Sequence, residues 1–316
     1  MHYRPGSGMR NDSSADMAQQ LCETIILARE RQSPVYISAG GSKRHMIGRH
    51  CDAQLLDVST HRGIIDYQPA ELVITARAGT PLGELQNTLE LHGQTLSFEP
   101  PRFDGTATLG GTLACNLSGP ARPWGGSIRD MVLGVKLING RGELLNFGGR
   151  VMKNVAGYDL SRLQAGALGT LGILSEISLK VLPRSEHTLH LSYEMTARQA
   201  VETMNQRAGE PKPLTGAFWL DGRLHLRLAG TASAVEHTAG LWGGDRSAEQ
   251  DRMWQDLRDM ALPFFAGPEP LWRLSLKGTT PVEPSLEPGL IDWCGAQRWV
   301  RGNHDLGAMK NIARAG

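Results

Sequence analysis

Thr108-Leu109-Gly110-Gly111-Thr112-Leu113-Ala114-Cys115-Asn116-Leu117-Ser118-Gly119 is the stretch on which the reading of this chain turns. It offers hydroxyls, one amide and bare backbone, with no bulky side chain to bar a flat ring from lying against it. Two readings stay open on these residues alone: a wall for a planar ligand, or a tight helix-packing turn. The stretch sits inside a longer segment, Pro100 to Gly126, rich in glycine, proline and small residues. That segment has no sustained hydrophobic period, yet it is too apolar for a flexible linker. Such a composition predicts backbone that wraps something.

Toward the N-terminus, Val35 to Ser38 reads as a short strand running into Ala39-Gly40-Gly41-Ser42-Lys43. Consecutive backbone N–H groups curled into a concave nest bind anions, and the curl needs positive φ, which glycine supplies. Two glycines, a hydroxyl and a nearby cation suit a nest for a dinucleotide pyrophosphate. An ordinary β-turn is the other reading, and the Walker pattern G-x-x-x-x-G-K-[ST] is absent. Toward the C-terminus, Lys153-Asn154-Val155-Ala156-Gly157-Tyr158-Asp159-Leu160 mixes charge with small residues, and Gly169-Thr170-Leu171-Gly172-Ile173 delivers turn glycines into a strand. Gly166, Gly169 and Gly172 are spaced G-x-x-G-x-x-G rather than G-x-G-x-x-G, which argues against a nicotinamide-binding half.

Around these clusters the pattern alternates between helix and strand. Met17, Leu21, Ile25 and Ala28 fall at helical spacing behind Ser13 and Ser14, with Pro34 closing the segment. Leu55 to Val58 and Leu72 to Ala76 read as strands. Thr80 is expected as N-cap and Pro81 as first helical residue of a helix carrying Leu82, Leu85 and Leu89 on one face, with Gly93 past its end. Met131 to Ile138 and Glu143 to Phe147 read as strands joined at Asn139-Gly140, and Ile173, Ile177, Leu179 and Val181 as a third before Pro183. Beyond residue 185 come a strand (Leu189 to Glu194), a helix (Ala197 to Arg207), a hairpin (Leu214 to Leu220 and Leu224 to Leu228, turning at Asp221-Gly222), further helices and a Trp272 to Leu276 strand.

At 316 residues the chain predicts two cores. With 33 Lys plus Arg against 32 Asp plus Glu, a formal net charge of +1, nothing recommends nucleic acid or an anionic membrane as partner. Cys22, Cys51, Cys115 and Cys294 are far apart and form no C-x-x-C pair, so no zinc or cluster-binding run is visible and reduced thiols are expected. No secretory signal and no apolar span of about 20 residues stand out, so the chain reads as cytoplasmic. Glycine, at 38 residues, stands well above its usual share of roughly 7%.

The run from Gly110 through Pro183, including Gly119-Pro120, Ser127-Ile128-Arg129-Asp130, Leu133-Gly134-Val135, Lys153 to Leu160 and Gly169 to Ile173, resembles the PCMH-type FAD-binding domain of the vanillyl-alcohol-oxidase family. More narrowly, Met152 to Asp159 and Ala165 to Thr170 resemble the FAD-binding subunits of glycolate oxidases. The likeness covers about the first 185 residues well and the rest loosely. It implies an α+β fold: a two-lobed FAD-binding domain over 1–185, with lobes of about 30–95 and 96–185, then a smaller α+β cap over 186–316. The family normally runs on to a C-terminal segment with an N-P-G-R-like motif, so with a chain ending at Gly316 the cap is expected to be incomplete.

The resemblance implies FAD as cofactor. By position, Ser38, Ala39, Gly40, Gly41, Ser42 and Lys43 match the pyrophosphate loop, with Ala39 where a third glycine is usual. If Ala39 takes positive φ, a cost of roughly 1 kcal/mol is expected. Gly110, Gly111, Thr112, Asn116, Ser118 and Gly119, with Pro100 opening the segment, match the lining of the dinucleotide; Gly172 and Ile173 match a backbone contact. Arg129 and Asp130 match a motif that reads equally as flavin contact or as a buried ion pair. The implied function is a subunit that oxidises a short 2-hydroxy acid, glycolate to glyoxylate, and passes electrons through a paralogous FAD subunit and an iron–sulfur subunit, peripheral to the inner membrane through those partners. A stand-alone flavin oxidoreductase and a non-catalytic flavin-fold subunit remain as alternatives. Oxidation of a hydroxy acid needs a cation for the carboxylate and a base for the hydroxyl proton. His187, His190, His225, His237 and His304 are scattered without a G-H-x-x-H-like cluster, each reading as a surface residue, and no catalytic residue or metal ligand is assigned.

Overall fold

The computed structural model describes residues 16–44, 46, 51–149, 158–246, 250–282 and 289–315. It divides into two compact units, Met1–Ser118 with Gly126–Arg184, and Gly119–Gly125 with Ser185–Gly316. The first unit carries helices α1 (Ala18–Glu30), α2 (Leu82–Glu90) and α3 (Leu109–Cys115). The short α4 (Arg122–Gly125) belongs to the second unit, and α5 (Ile128–Met131) and α6 (Leu160–Leu163) return to the first. Its strands are β1 (Val35–Ser38), β2 (Gln54–Asp57), β3 (Ile64–Gln68), β4 (Val73–Arg77), β5 (Gln94–Thr95), β6 (Val132–Ile138), β7 (Leu144–Gly148), β8 (Ile173–Lys180) and β9 (Leu182–Pro183).

Five of these strands form an antiparallel sheet ordered β3-β4-β8-β6-β7. All five residues of β4 are buried, as a strand covered on both faces requires. Ile74 and Ala76 enter a core with Leu82, Leu85 and Leu89 of α2, Leu109 and Leu113 of α3, and Ile177 and Leu179 of β8. On the other face Thr75 shares a 2.8 Å hydrogen bond with Ser178, and Arg77 reaches Asp16 at 3.5 Å. The helix α1 lays Leu21 and Ile25, one turn apart, against Val58, Ile138 and Ile173; each such side chain contributes about 1.5–3 kcal/mol by leaving water. Strands β1 and β2 pair in parallel, Val35 opposite Gln54. A parallel pair needs a long crossover, and the glycine-rich loop after Ser38 begins it.

The second unit is a seven-stranded antiparallel sheet of β10 (His187–Glu194), β11 (Leu214–Leu220), β12 (Arg223–Gly230), β13 (Asp245–Arg246), β14 (Leu271–Ser275), β15 (Leu290–Asp292) and β16 (Gln297–Arg301), ordered β13-β10-β12-β11-β15-β16-β14. On one face pack α7 (Ala197–Ala208) and α8 (Ala232–Trp242), through Ala200, Val201, Met204, Val235 and Ala239. On the other, α9 (Gln250–Asp259) sets Trp254 and Leu257 against Phe218, Leu290 and Trp299. Met309 of α10 (Leu306–Ala315) joins Leu274 and Val300.

Several sequence expectations need correction. The first residue of α2 is Leu82 and its N-cap is Pro81, one residue later than Thr80. Thr80 is fully buried, and its hydroxyl serves the end of β4, donating to the Arg77 carbonyl at 2.7 Å and accepting from Gly63 N–H at 2.9 Å. The β6–β7 connection does run through Asn139-Gly140, in a turn closed by Gly142 N–H on the Asn139 carbonyl at 3.0 Å, with Gly142 at φ +76 and the Asn139 side chain accepting from the N–H groups of Arg141 and Glu143. Strand β3 had no counterpart in the reading. The Pro100–Gly126 segment, in which no sustained hydrophobic period stands out, contains α3 and α4. Helix α1 is capped by Met17; Ser13 and Ser14 lie outside the described residues.

Candidate functional site in the first unit

The loop after β1 is a close fit at one glycine and open at the next. A Cβ on Gly40 would lie 1.7 Å from the Thr106 carbonyl oxygen, so no side chain is possible there without moving backbone. Gly41 has φ +65 and nothing within 4 Å of where its Cβ would be. Ala39 is not among the positive-φ residues, so the strain considered for it does not arise. Thr106 follows Phe103 (φ +46), Asp104 (φ +54) and Gly105 (φ +82). Two consecutive non-glycine residues in the left-handed region cost of order 1–3 kcal/mol each, a strain that proteins concentrate at ligand-binding sites. This strained turn abuts the nest.

Lys43 joins the loop to the small-residue stretch. It is only 7% exposed. Its ammonium donates to Ser42 Oγ at 3.2 Å, stands 5.3 Å from the centre of the Phe103 ring, and lies 3.9 Å from where a Cβ on Gly111 would be. No carboxylate among the described residues pairs with it. Burial pulls its pKa below the usual lysine value, opposed by the Cys115 thiol, whose own pKa burial pushes up and Lys43 pulls down. An unpaired cation in so dry a place is stabilised by an arriving anion.

The wall is α3. Thr108 caps it in extended conformation, Oγ1 accepting from Gly111 N–H at 3.3 Å. Gly110 N–H donates to the Ala78 carbonyl at 2.7 Å, an approach that a Cβ would block at 2.7 Å from Ala78 Cβ. Thr112 is fully buried and its hydroxyl donates back to the Thr108 carbonyl, so that hydroxyl is engaged inside the helix. Asn116 ends the helix in the left-handed region (φ +50), and the 166–168 backbone hooks onto the same end, Gly166 N–H to Leu113 and Leu168 N–H to Ala114. Asn116 Oδ1 and Ser118 Oγ are buried with no partner among the described residues.

The remaining expected residues lie apart. Pro100 is buried in the lead-in to the strained turn. Gly119 falls in the second unit, its carbonyl accepting from the Trp293 indole at 3.0 Å. Arg129 and Asp130 are exposed, so they do not form a buried ion pair; Asp130 Oδ2 accepts from Ser127 N–H and Oγ, both at 2.8 Å, holding the start of α5. Gly172 (φ +142) is required where a Cβ would meet the Ile138 carbonyl at 2.4 Å, and the Ile173 side chain is in the α1 core. Lys153 to Gly157, with Met152, lie outside the described residues. Sequence reading missed Phe103 as a neighbour of Lys43 and Thr106 as the neighbour of Gly40, since only the left-handed turn at 103–105 brings them there.

Two of the five histidines taken for surface residues are buried in the second unit. His190, 6% exposed, lies 2.6 Å through Nε2 from Asp251, and His225 stacks on Phe218 at 4.6 Å between ring centres. Both sit in strands of the sheet, which a search for clustered motifs does not register.

A buried cation without a carboxylate, a backbone cradle closed to any side chain at Gly40, and unpartnered buried oxygens on Asn116 and Ser118 together fit the diphosphate and hydroxyls of a dinucleotide. Residues 14–148 match the family model described as an FAD binding domain. The chain resembles in fold two crystal forms of alkyldihydroxyacetonephosphate synthase, with a TM-score of 0.66 for the first, at 15% identity over 94% of this chain and 69% of that one. These features define an FAD-binding oxidoreductase of the PCMH type, and FAD is its cofactor. Across 299 residues, 95% of this chain and 85% of the relative, it is 46% identical to the glycolate oxidase subunit GlcE of Escherichia coli K12, and it belongs to that family. A D-lactate dehydrogenase of Archaeoglobus fulgidus is 26% identical over 75% of this chain and 59% of its own length, and the glycolate oxidase subunit GlcD of Bacillus subtilis 29% identical over 55% and 38%.

Proposed function

We propose that this chain is the FAD-holding subunit of a complex that oxidises glycolate or another short 2-hydroxy acid, working with a paralogous flavin subunit and an iron–sulfur subunit. The buried, uncompensated Lys43 beside Gly111 carries the cofactor part of the reading, and the names of GlcE, GlcD and the D-lactate dehydrogenases support the substrate class. Ser42, Lys43 and the backbone of Gly40 and Gly41 hold the pyrophosphate; Gly110, Gly111, Asn116 and Ser118 line the dinucleotide. Bound there, FAD supplies a two-electron acceptor. The protein's part is to exclude side chains from the cradle at Gly40 and to neutralise the diphosphate through Lys43.

No cysteine pattern among Cys22, Cys51, Cys115 and Cys294 suits a cluster, and all four are free thiols, so the electrons leave through a partner. We place the complex in the cytoplasm, where thiols stay reduced, peripheral to the inner membrane through its partners. Among the described residues no helix is long and apolar enough to cross a membrane. The domain reading keeps 1–185 as the FAD-binding part and 186–316 as the cap.

The test is anaerobic spectroscopy on the assembled complex. Glycolate is expected to bleach the flavin, and Gly41→Asp in this chain to release its FAD by adding a carboxylate to the nest. A Gly41→Asp protein with stoichiometric FAD would remove the nest assignment. A complex whose flavin ignores glycolate and D-lactate would remove the substrate.

A further inference from the structure

Lys43 leaves a backbone that is pinned on both sides. Arg44 N–H donates to the Gly41 carbonyl at 3.1 Å, and Met46 N–H to the carbonyl of Lys43 itself, also at 3.1 Å. These two overlapping turns aim the side chain into the protein, where it is buried, while the next residue, Arg44, stays exposed and lies 5.6 Å from the Tyr36 ring centre.

Three elements surround the Lys43 ammonium. Its own loop offers Ser42 Oγ at 3.2 Å, and the strained turn offers the Phe103 ring at 5.3 Å. Helix α3 turns Gly111 toward it, with 3.9 Å between Nζ and the position of a Cβ there. Cys115 follows one turn along the same face of α3, and its thiol is the one titratable neighbour whose charge bears on Lys43. Asp104, in the same turn as Phe103, is exposed and makes no ion pair with Lys43. One hydroxyl is thus the only polar partner among the described residues for a group with three protons to donate.

Such surroundings favour the neutral amine, because burial without a counter-charge penalises the ammonium. Desolvation accordingly brings the Lys43 pKa below the usual 10.5, with Cys115 opposing. A diphosphate laid on the same loop acts in the opposite direction, since negative charge at close range in a dry site favours the ammonium strongly. The side chain therefore binds more protons with the cofactor than without it.

We propose that FAD capture by this chain is proton-coupled, with Lys43 taking a proton from solvent as the diphosphate arrives. The proposal rests on the placing of the diphosphate at this loop given above. Above the pH at which Lys43 discharges in the FAD-free chain, the dissociation constant for FAD rises with pH, by up to about tenfold per pH unit for one linked proton. The folding stability of the FAD-free chain moves the other way. Its unfolded lysine keeps the proton up to about pH 10.5 and the folded one releases it earlier, so this contribution is present above 10.5 and is lost as pH falls through the lower folded value. General alkaline unfolding does not produce opposite trends through one side chain.

The test is calorimetric titration of the full chain, freed of flavin, with FAD from about pH 7 to about pH 10, in buffers of different ionisation heat. Proton uptake that grows with pH is expected, with Kd rising over the same range. Lys43→Arg, whose guanidinium stays charged throughout, should bind FAD without that uptake and with a flatter Kd. Lys43→Met should bind more weakly, equally flat, and in chemical denaturation should lack the parent's alkaline gain in stability. The cofactor's own titrations are common to all three proteins, so the differences belong to Lys43. Equal proton uptake and equal pH slope in the parent and in Lys43→Arg, with circular dichroism showing the variant folded, overturn the coupling whether or not Lys43→Met folds. If that result comes with loss of FAD from Gly41→Asp, the nest stands and the coupling falls. If Gly41→Asp keeps its FAD while Lys43→Arg abolishes the uptake, the nest assignment falls and the coupling stands.

Discussion

Gly40 and Gly41 are adjacent, yet they are glycines for different reasons, and substitution separates them. At Gly40 the obstacle is the Thr106 carbonyl 1.7 Å from any Cβ, so Gly40→Ala must displace the 103–106 turn. At Gly41 there is room, and Gly41→Ala meets only the left-handed φ, a cost of roughly 1–2 kcal/mol. We expect Gly41→Ala to keep its FAD with a melting temperature a few degrees lower, and Gly40→Ala to lose FAD; equal retention by the two, measured by absorbance after gel filtration, would contradict the packing. Lys43 gives a sharper test because its two effects oppose one another. Lys43→Met removes a buried unpaired cation, so the apoprotein should melt no lower than the parent while FAD affinity falls about tenfold or more. A loss of apoprotein stability together with unchanged affinity would make Lys43 structural. Composition made the Gly-Gly-Ser-Lys loop visible, but not which glycine needs space and which needs φ. That depends on Thr106, some sixty residues on, and on a turn whose Phe103 and Asp104 carry no glycine signature.

At the scale of the element, α1 is tied to the sheet through one buried histidine. His61 is fully buried, its Nδ1 accepting from Met17 N–H at 3.0 Å and its Nε2 facing Ser175 Oγ at 2.9 Å, so the neutral ring carries its proton on Nε2. Desolvation lowers its pKa below 6.5, more than Asp16 and Glu176 raise it, and Arg77 lowers it further. The unfolded chain therefore takes up the proton first. The stability contribution is present above about pH 6.5 and is lost as pH falls through the lower folded value. Hydrogen exchange of Leu21 and Ile25 amides, corrected for intrinsic rates, should speed up over that acid range, and His61→Gln should flatten the response. An unchanged slope in the variant would assign the effect to other groups. Helices of this kind were the legible part: Leu21 and Ile25, or Leu82, Leu85 and Leu89, announce their buried face by spacing alone. Strand β3 escaped because Ile64 to Gln68 is only half-buried and lacks a clean alternation. The start of α2 was misplaced by one residue because the Thr80 hydroxyl answers to Gly63 and Arg77, partners that no local pattern announces.

For the whole molecule, the division into units does not follow a single cut in the sequence. Trp124 sits in a seven-residue stretch flanked in sequence by residues of the first unit, yet it packs on the core of the second. Trp124→Ala should destabilise the second unit by roughly 2–3 kcal/mol, somewhat below the 3–5 expected of a fully buried aromatic, while leaving FAD bound at neutral pH. Chemical denaturation followed by far-UV dichroism and by flavin release would separate the two effects; coincident loss of both would show the units unfolding as one. Sequence reading placed a boundary near residue 185 and could not see the excursion, because seven residues rich in glycine and proline carry no periodicity to betray which core they serve.

That excursion bears on how such a protein can be inherited. Joining the halves of two relatives at one breakpoint near Arg184 would marry the Gly119–Gly125 segment of one parent to the sheet of another. Trp124 would then meet a foreign core, and Trp293 a foreign carbonyl. Recombination would have to exchange both stretches together, so the two units are expected to share one genealogy, and chimaeras built by a single crossover should be the ones that fail.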